Sequence, residues 1–322
     1  MKTTIKDVAK EAGVSVALIS KFLNGASDAR MQPATRERIE LAIEKLHYRP
    51  STVARSLRSD DHRNLGLVIG NLRRRYFATF ADAVLSETEK RGYRLLITLS
   101  GNGQEKELQN LYFLLNNRVD GVIYHEYLLS DEEMLKLKRR QYSLVLVERE
   151  SSIFPSAGTD CREGVDGLAR WCRQNGVQEL CCVFPDYCSM QPILEETFRR
   201  YELRQTSFCN VPPEELLKKR PDTVFFYAWE QVCQFLRVLD RETTGYSPGI
   251  FCAGSLFDHR LSDPRIIGGI FSDMQAHAEY AVELLIAGIN HVECPLKRPV
   301  SSFKTGEEFE VFRQQNKNNS WN

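Results

Sequence analysis

No cysteine occurs before Cys161, and none of the nine from there on forms a C-x-x-C pair. A structural zinc needs spaced pairs of thiolates or imidazoles, so no metal is expected. Scattered cysteines in a chain of 322 residues read as reduced, buried thiols. No apolar run approaches the roughly 20 residues that span a bilayer. The first eleven residues scatter Lys, Asp and Glu, unlike an export leader, so a cytoplasmic location is expected. The six histidines (His47, His62, His125, His259, His277 and His291) lack metal spacing. Nucleophile elbow, phosphate loop and paired catalytic carboxylates are all missing. Gly101-Asn102-Gly103 follows a strand pattern, but Lys106 stands where a dinucleotide loop needs its third glycine. The reading is of a chain without cofactor and without catalysis.

What is present is an uneven distribution of charge. The net charge is zero, yet residues 1–59 carry +5 and the remainder −5. A basic head on an acidic body suits a polyanion held by the head alone. Three short helices fit the first fifty residues. Val8, Ala9 and Ala12 mark the first, and Gly13 breaks it. Ser15 can cap the second, which carries Leu18, Ile19, Phe22 and Leu23 and ends at Asn24-Gly25. Pro33 opens the third, with Ile39, Ala42, Ile43 and Leu46 as its stripe. Residues 51–63 are polar and basic, a linker able to become a helix.

From Leu65 apolar strand-like runs alternate with helical stretches. That alternation predicts parallel, doubly wound α/β sheets. Two subdomains fit, 64–155 and 156–312, followed by a polar tail over 313–322 expected to be disordered.

Ala9, Gly13 and Ile19 supply the small contact residue, the turn and the anchor of a helix-turn-helix, four and six residues apart. The second helix then exposes Val16, Ala17, Ser20, Lys21 and Asn24 to a major groove. An ordinary helical hairpin can share this spacing. The longer motifs T-I-K-D-V-A-K-E-A-G-V-S at Thr4–Ser15, T-R-E-R-I at Thr35–Ile39 and Y-R-P-S-T-V-A-R-S-L at Tyr48–Leu57 go further. With them the chain resembles the lactose-repressor family of bacterial regulators, and Phe77–Ala81 is most similar to its fructose- and sucrose-responsive branch.

The resemblance implies an all-α helix-turn-helix headpiece over residues 1–50 and a hinge over 51–63. Over 64–312 it implies a periplasmic-binding-protein-like α/β sensor with a ligand cleft between its subdomains. It implies a repressor of carbohydrate genes that binds a pseudo-palindromic double-stranded operator as a homodimer. Its DNA contacts carry over to Ile5, Ser15, Val16, Ala17, Ser20, Lys21, Asn24, Tyr48, Ala54, Arg55 and Leu57, with Leu57 wedged into the minor groove. Leu18, Lys21 and Ser51 depart from the usual residues of the family.

A sugar or sugar-phosphate effector is expected against Arg73, Arg74, Arg75, Glu148 and Asp160. Three arginines ahead of a helix can hold an anion, although a solvated basic turn looks the same in sequence. The second subdomain departs from the family. The arginine usual beyond the strand at 180–184 is missing, and Trp229-Glu230 replace an Asn-Asp pair. A strand-helix unit between Asp186 and Pro221 looks trimmed. Loss of effector control is therefore a second reading. An α/β enzyme with a fused head would need a cofactor loop, and an exported sugar carrier would need a leader and no basic head.

Overall fold

The structure is a computed structural model. It describes residues 3–23, 31–48, 62–101, 103–125, 129–177, 179–185, 188–255 and 263–318. Chain contacts divide it into two units, Met1–His62 and Arg63–Asn322.

The first unit holds α1 (Ile5–Ala12), α2 (Val16–Leu23) and α3 (Pro33–Lys45). Asp7 accepts from the Thr4 N–H (2.8 Å) and hydroxyl (2.7 Å), which fixes the start of α1. Gly13 ends α1 at φ 64°, a left-handed turn that a side chain would strain. Ser15 caps α2 by accepting from the Leu18 N–H at 3.2 Å. Val8, Ala9, Ala12, Ile19, Ile39 and Ala42 form one small core. Lys45 pairs with Glu11 at 2.6 Å and joins α3 to α1.

The second unit runs β1 (Asn64–Ile69), α4 (Arg75–Lys90), β2 (Arg94–Leu99), α5 (Gln104–Asn116), β3 (Gly121–His125), α6 (Asp131–Arg139), β4 (Leu144–Val147) and β5 (Ser156–Ala157). It continues through α7 (Arg162–Gln174), β6 (Glu179–Phe184), α8 (Met190–Arg200), β7 (Arg204–Cys209), α9 (Pro213–Lys219), β8 (Thr223–Phe226), α10 (Trp229–Leu239), β9 (Gly249–Ser255) and β10 (Ile266–Ser272). It closes with α11 (Met274–Ile289), β11 (Ser302–Thr305) and α12 (Gly306–Asn318). The first sheet has the order β2-β1-β3-β4-β5 and is parallel throughout. The second has the order β11-β10-β9-β8-β6-β7, parallel except for β11. Nearly continuous apolar strands, buried on both faces, account for this architecture. At Gly269 in β10 an added Cβ would lie 2.1 Å from the Cys252 carbonyl, so only glycine fits there.

Three expectations need correction. The subdomain boundary is not a single point near 155. β5 belongs to the first sheet, and α11 returns to cover it with Met274, Ala278, Ala281, Val282 and Leu285. Arg91 at the end of α4 clamps that helix, bonding Glu283 at 2.8 Å and the buried Glu87 at 2.5 Å. The unit expected to be trimmed is present as α8, β7 and α9. β7 is the polar edge strand Arg204–Cys209, whose pattern lacks a buried apolar run. Residues 313–318 continue α12 rather than forming a disordered tail. Phe309 and Phe312 bury that helix on the second sheet, where the Arg313 guanidinium donates to the Ile266 carbonyl at 2.6 Å.

Candidate nucleic-acid interface and effector cleft

In the head, the cap Ser15 is exposed, as are Ala17 and Lys21 on α2, and Val16 and Ser20 are half-buried. Val16 leans on the head core beside Ile5 and Tyr48, so these three residues combine packing with any outward contact. Tyr48 is tied to α3 by its N–H, which donates to the Ile43 carbonyl at 2.9 Å. The Arg36 guanidinium lies 5.8 Å from the Phe22 ring and holds α3 against the C-terminal half of α2. The result is a short rigid helix that presents a small apolar patch and one flexible cation. Asn24, Ala54, Arg55 and Leu57 lie outside the described residues.

In the body, the parallel order brings the C-terminal ends of β1, β3 and β4 side by side. Such strand ends, between sheets, are where α/β folds hold ligands. Beyond β1, Arg73 and Arg74 are exposed and Arg75 is half-buried in the first turn of α4. Asn71 accepts from the N–H groups of Arg73 (3.0 Å) and Arg74 (3.1 Å). Those two amides are therefore not open to an anion, and attraction there rests on the guanidinium groups.

At the end of β3, His125 is enclosed by Tyr76, Phe77 and Phe80, with its Nε2 3.0 Å from the Tyr76 hydroxyl. Burial, reinforced by nearby His277, pushes its pKa down to about 3, so the ring is neutral. At the end of β4, Glu148 has φ 55°. Its Oε2 accepts from the Ser189 hydroxyl at 3.3 Å, its Oε1 faces the Thr159 N–H at 3.5 Å, and His277 Nδ1 lies 3.7 Å away. Ser189 stands at the start of α8, so this contact joins the two sheets' halves of the unit.

Asp160 lies in the crossover between the halves rather than with these groups. Its backbone pairs with Pro299 and Ser301, and Arg162 holds its carboxylate at 2.8 Å. Arg298, from the same crossover region, donates to the Gly158 carbonyl at 2.9 Å and pairs with Glu150 at 2.7 Å.

Sequence reasoning missed Tyr76, His125, Ser189, His277 and Arg298 as neighbours of these strand ends and of the crossover beside them. His125 carried a usable signal, because it directly follows an apolar parallel strand. Nothing local marks Ser189 or His277, which arrive from other elements. A surface concavity of about 520 Å³ lies away from these residues, between α7 and β11, lined by Arg170, Trp171, Phe303 and Lys304. Among the described residues no cluster of His, Cys, Asp and Glu could hold a metal, and no helix is long and apolar enough to cross a membrane.

Residues 4–51 match the family model "Bacterial regulatory proteins, lacI family". The chain is 33% identical over 185 residues to the HTH-type transcriptional regulator pepR1 of Lactobacillus delbrueckii subsp. lactis, covering 57% of this chain and 55% of that protein. The chain spans about half the length of the curated relatives it matches. A structure of the lac repressor dimer bound to operator and an anti-inducer superposes with a TM-score of 0.78 at 16% identity, covering 96% of this chain and 99% of that one. The Cra regulator of Pseudomonas putida with fructose 1-phosphate superposes at 0.64 and 18% identity, covering 76% and 98%. These structures show the shared fold: a helix-turn-helix head and two parallel-sheet α/β domains.

Proposed function

The head belongs to the lacI family of bacterial regulatory proteins, and from that premise we propose that the chain is a sequence-specific transcription regulator, a repressor of carbohydrate genes rather than an enzyme. The observation that carries this reading is the capped α1–α2 pair, which holds Ala17 and Lys21 outward on one short helix. Val16 and Ala17 offer apolar contacts suited to thymine methyl groups, and Lys21 can donate to guanine O6 and N7. Leu57, with Ala54 and Arg55, completes the operator contact from the minor groove.

One recognition helix reads few base pairs, so two heads on a pseudo-palindromic operator are required. The edge strand β2 leaves Ile97 40% and Leu99 39% exposed, apolar surface that a second copy would cover. The work would be done in the cytoplasm, on the nucleoid. Control comes from a sugar phosphate between the subdomains, with its phosphate on the guanidinium groups of Arg73, Arg74 and Arg75. Fructose 1-phosphate in the similarly folded Cra regulator is a ligand of this class. Binding would favour one angle between subdomains by its differential affinity for the two.

Lys21→Ala should weaken operator binding by roughly 1–3 kcal/mol and relax preference at one base position. Gel shifts on a set of operator variants measure both. An equal loss on every sequence would make Lys21 a phosphate contact and remove the readout argument.

A further inference from the structure

Glu148 is an acid whose protein contacts are long. Its side chain is 15% exposed, yet its two hydrogen-bonding contacts are long, 3.3 Å to the Ser189 hydroxyl and 3.5 Å to the Thr159 N–H. An ionised carboxylate accepts up to about four bonds, and charge-assisted ones run about 2.7–2.9 Å. His277 Nδ1 stands off at 3.7 Å. The Arg298 guanidinium is near but engaged, to Glu150 at 2.7 Å and to the Gly158 carbonyl at 2.9 Å. The backbone also keeps Glu148 at φ 55°, in the left-handed region, directly after a strand. Residues held this way gather where a ligand is gripped. A mostly covered carboxylate with only long contacts is well completed by a compact cation.

The sheet order places the rest of the ligand. β3 lies between β1 and β4. The strand end that leads to Arg73–Arg75 therefore lies two strand spacings, about 10 Å, from the one that bears Glu148. That span is the length of a phosphorylated sugar.

We infer that the effector is zwitterionic, an amino-sugar phosphate or a compound of that chemistry, with its ammonium on Glu148 and its phosphate on the arginines. The ammonium takes the place of the Ser189 hydroxyl. Ser189 belongs to the second sheet's half, so binding breaks a bond that joins the halves and alters their angle. This inference rests on the proposed anion site at Arg73–Arg75.

Calorimetry on the full chain with glucosamine 6-phosphate, glucose 6-phosphate, inorganic phosphate and glucosamine separates the two. Glucosamine 6-phosphate should bind about tenfold or more tighter than glucose 6-phosphate. Glu148→Gln should abolish that preference while glucose 6-phosphate binding changes by less than about threefold. Ser189→Ala should tighten glucosamine 6-phosphate a few-fold by removing its competitor. Equal affinity for the two sugar phosphates, or a preference that survives Glu148→Gln, overturns the inference. Binding of glucosamine without any phosphate effect would overturn the anion site and leave Glu148 as the cation acceptor. No binding by any of the four overturns both.

Discussion

At the C-terminal end of the first sheet, successive strands deliver Arg73–Arg75, His125 and Glu148; at the matching end of the second they deliver Cys188 and Ser189, Tyr227 to Trp229, and Gly254. The layers and helices around the two sheets are alike. What differs is chemistry at the strand ends and in the cores. The first half buries His125, His277 and the acids Glu87 and Glu107, and the second buries thiols and the larger set of phenylalanines.

The largest expected effect tests whether the halves fold separately. Phe251 is fully buried in β9, edge-on to Trp171 at 4.7 Å and 5.7 Å from Phe303. Phe251→Ala should cost about 3–5 kcal/mol, and Phe80→Ala in the first half a similar amount. Because α11 returns to the first sheet, both should shift the same urea transition, followed by tryptophan fluorescence and circular dichroism. Two separable transitions would break the unity of the body.

A difference in pH response follows next. His125 has a folded pKa of about 3, below its unfolded value near 6.5. Its contribution is present above pH 6.5 and is lost as pH falls through that value toward 3, roughly 3 kcal/mol by pH 4.5. His125→Phe should flatten that loss in denaturant titrations at pH 7 and 4.5. Two carboxylates are held below their ordinary values. Burial raises Glu87, but bonds from Lys90 and Arg91 outweigh it and hold it low, and Arg265 holds Asp263 low. In the second half burial pushes Cys172, Cys181 and Cys188 up to about 12. A raised thiol pKa contributes stability below the unfolded value near 8.5, lost as pH rises toward 12. Iodoacetamide at pH 8 should leave these three thiols unmodified until denaturant unfolds the chain, a result read by mass spectrometry.

The smallest effect tests the returning helix. Asp273 caps α11 by accepting from the N–H groups of Gln275 (2.9 Å) and Ala276 (3.1 Å). Asp273→Ala should cost about 1 kcal/mol and raise amide exchange in α11 more than in α7, whose cap residue Cys161 makes no such bond.

Much of the site was legible, but unevenly. Arg73–Arg75 and Glu148 end apolar parallel strands, a position that periodicity reveals. Asp160 shares that apparent placement, yet its carboxylate is taken by Arg162 and its backbone by the return crossover. β7 escaped notice because an edge strand buries less and its sequence alternates polar residues. The helix over 306–318 escaped because only Phe309 and Phe312 signal it amid polar neighbours.

The sequence by itself determined the head, its turn at Gly13 and the alternation of strands and helices. These depend on residue spacing within one or two turns, which a linear pattern records. Only the tertiary structure decided that α11 serves the first sheet and that Ser189 meets Glu148 across 41 residues of chain. Periodicity tells which face of an element is apolar, but several apolar faces are equivalent by that measure. Packing selects among them through volume and complementarity, which exist only once the halves are assembled.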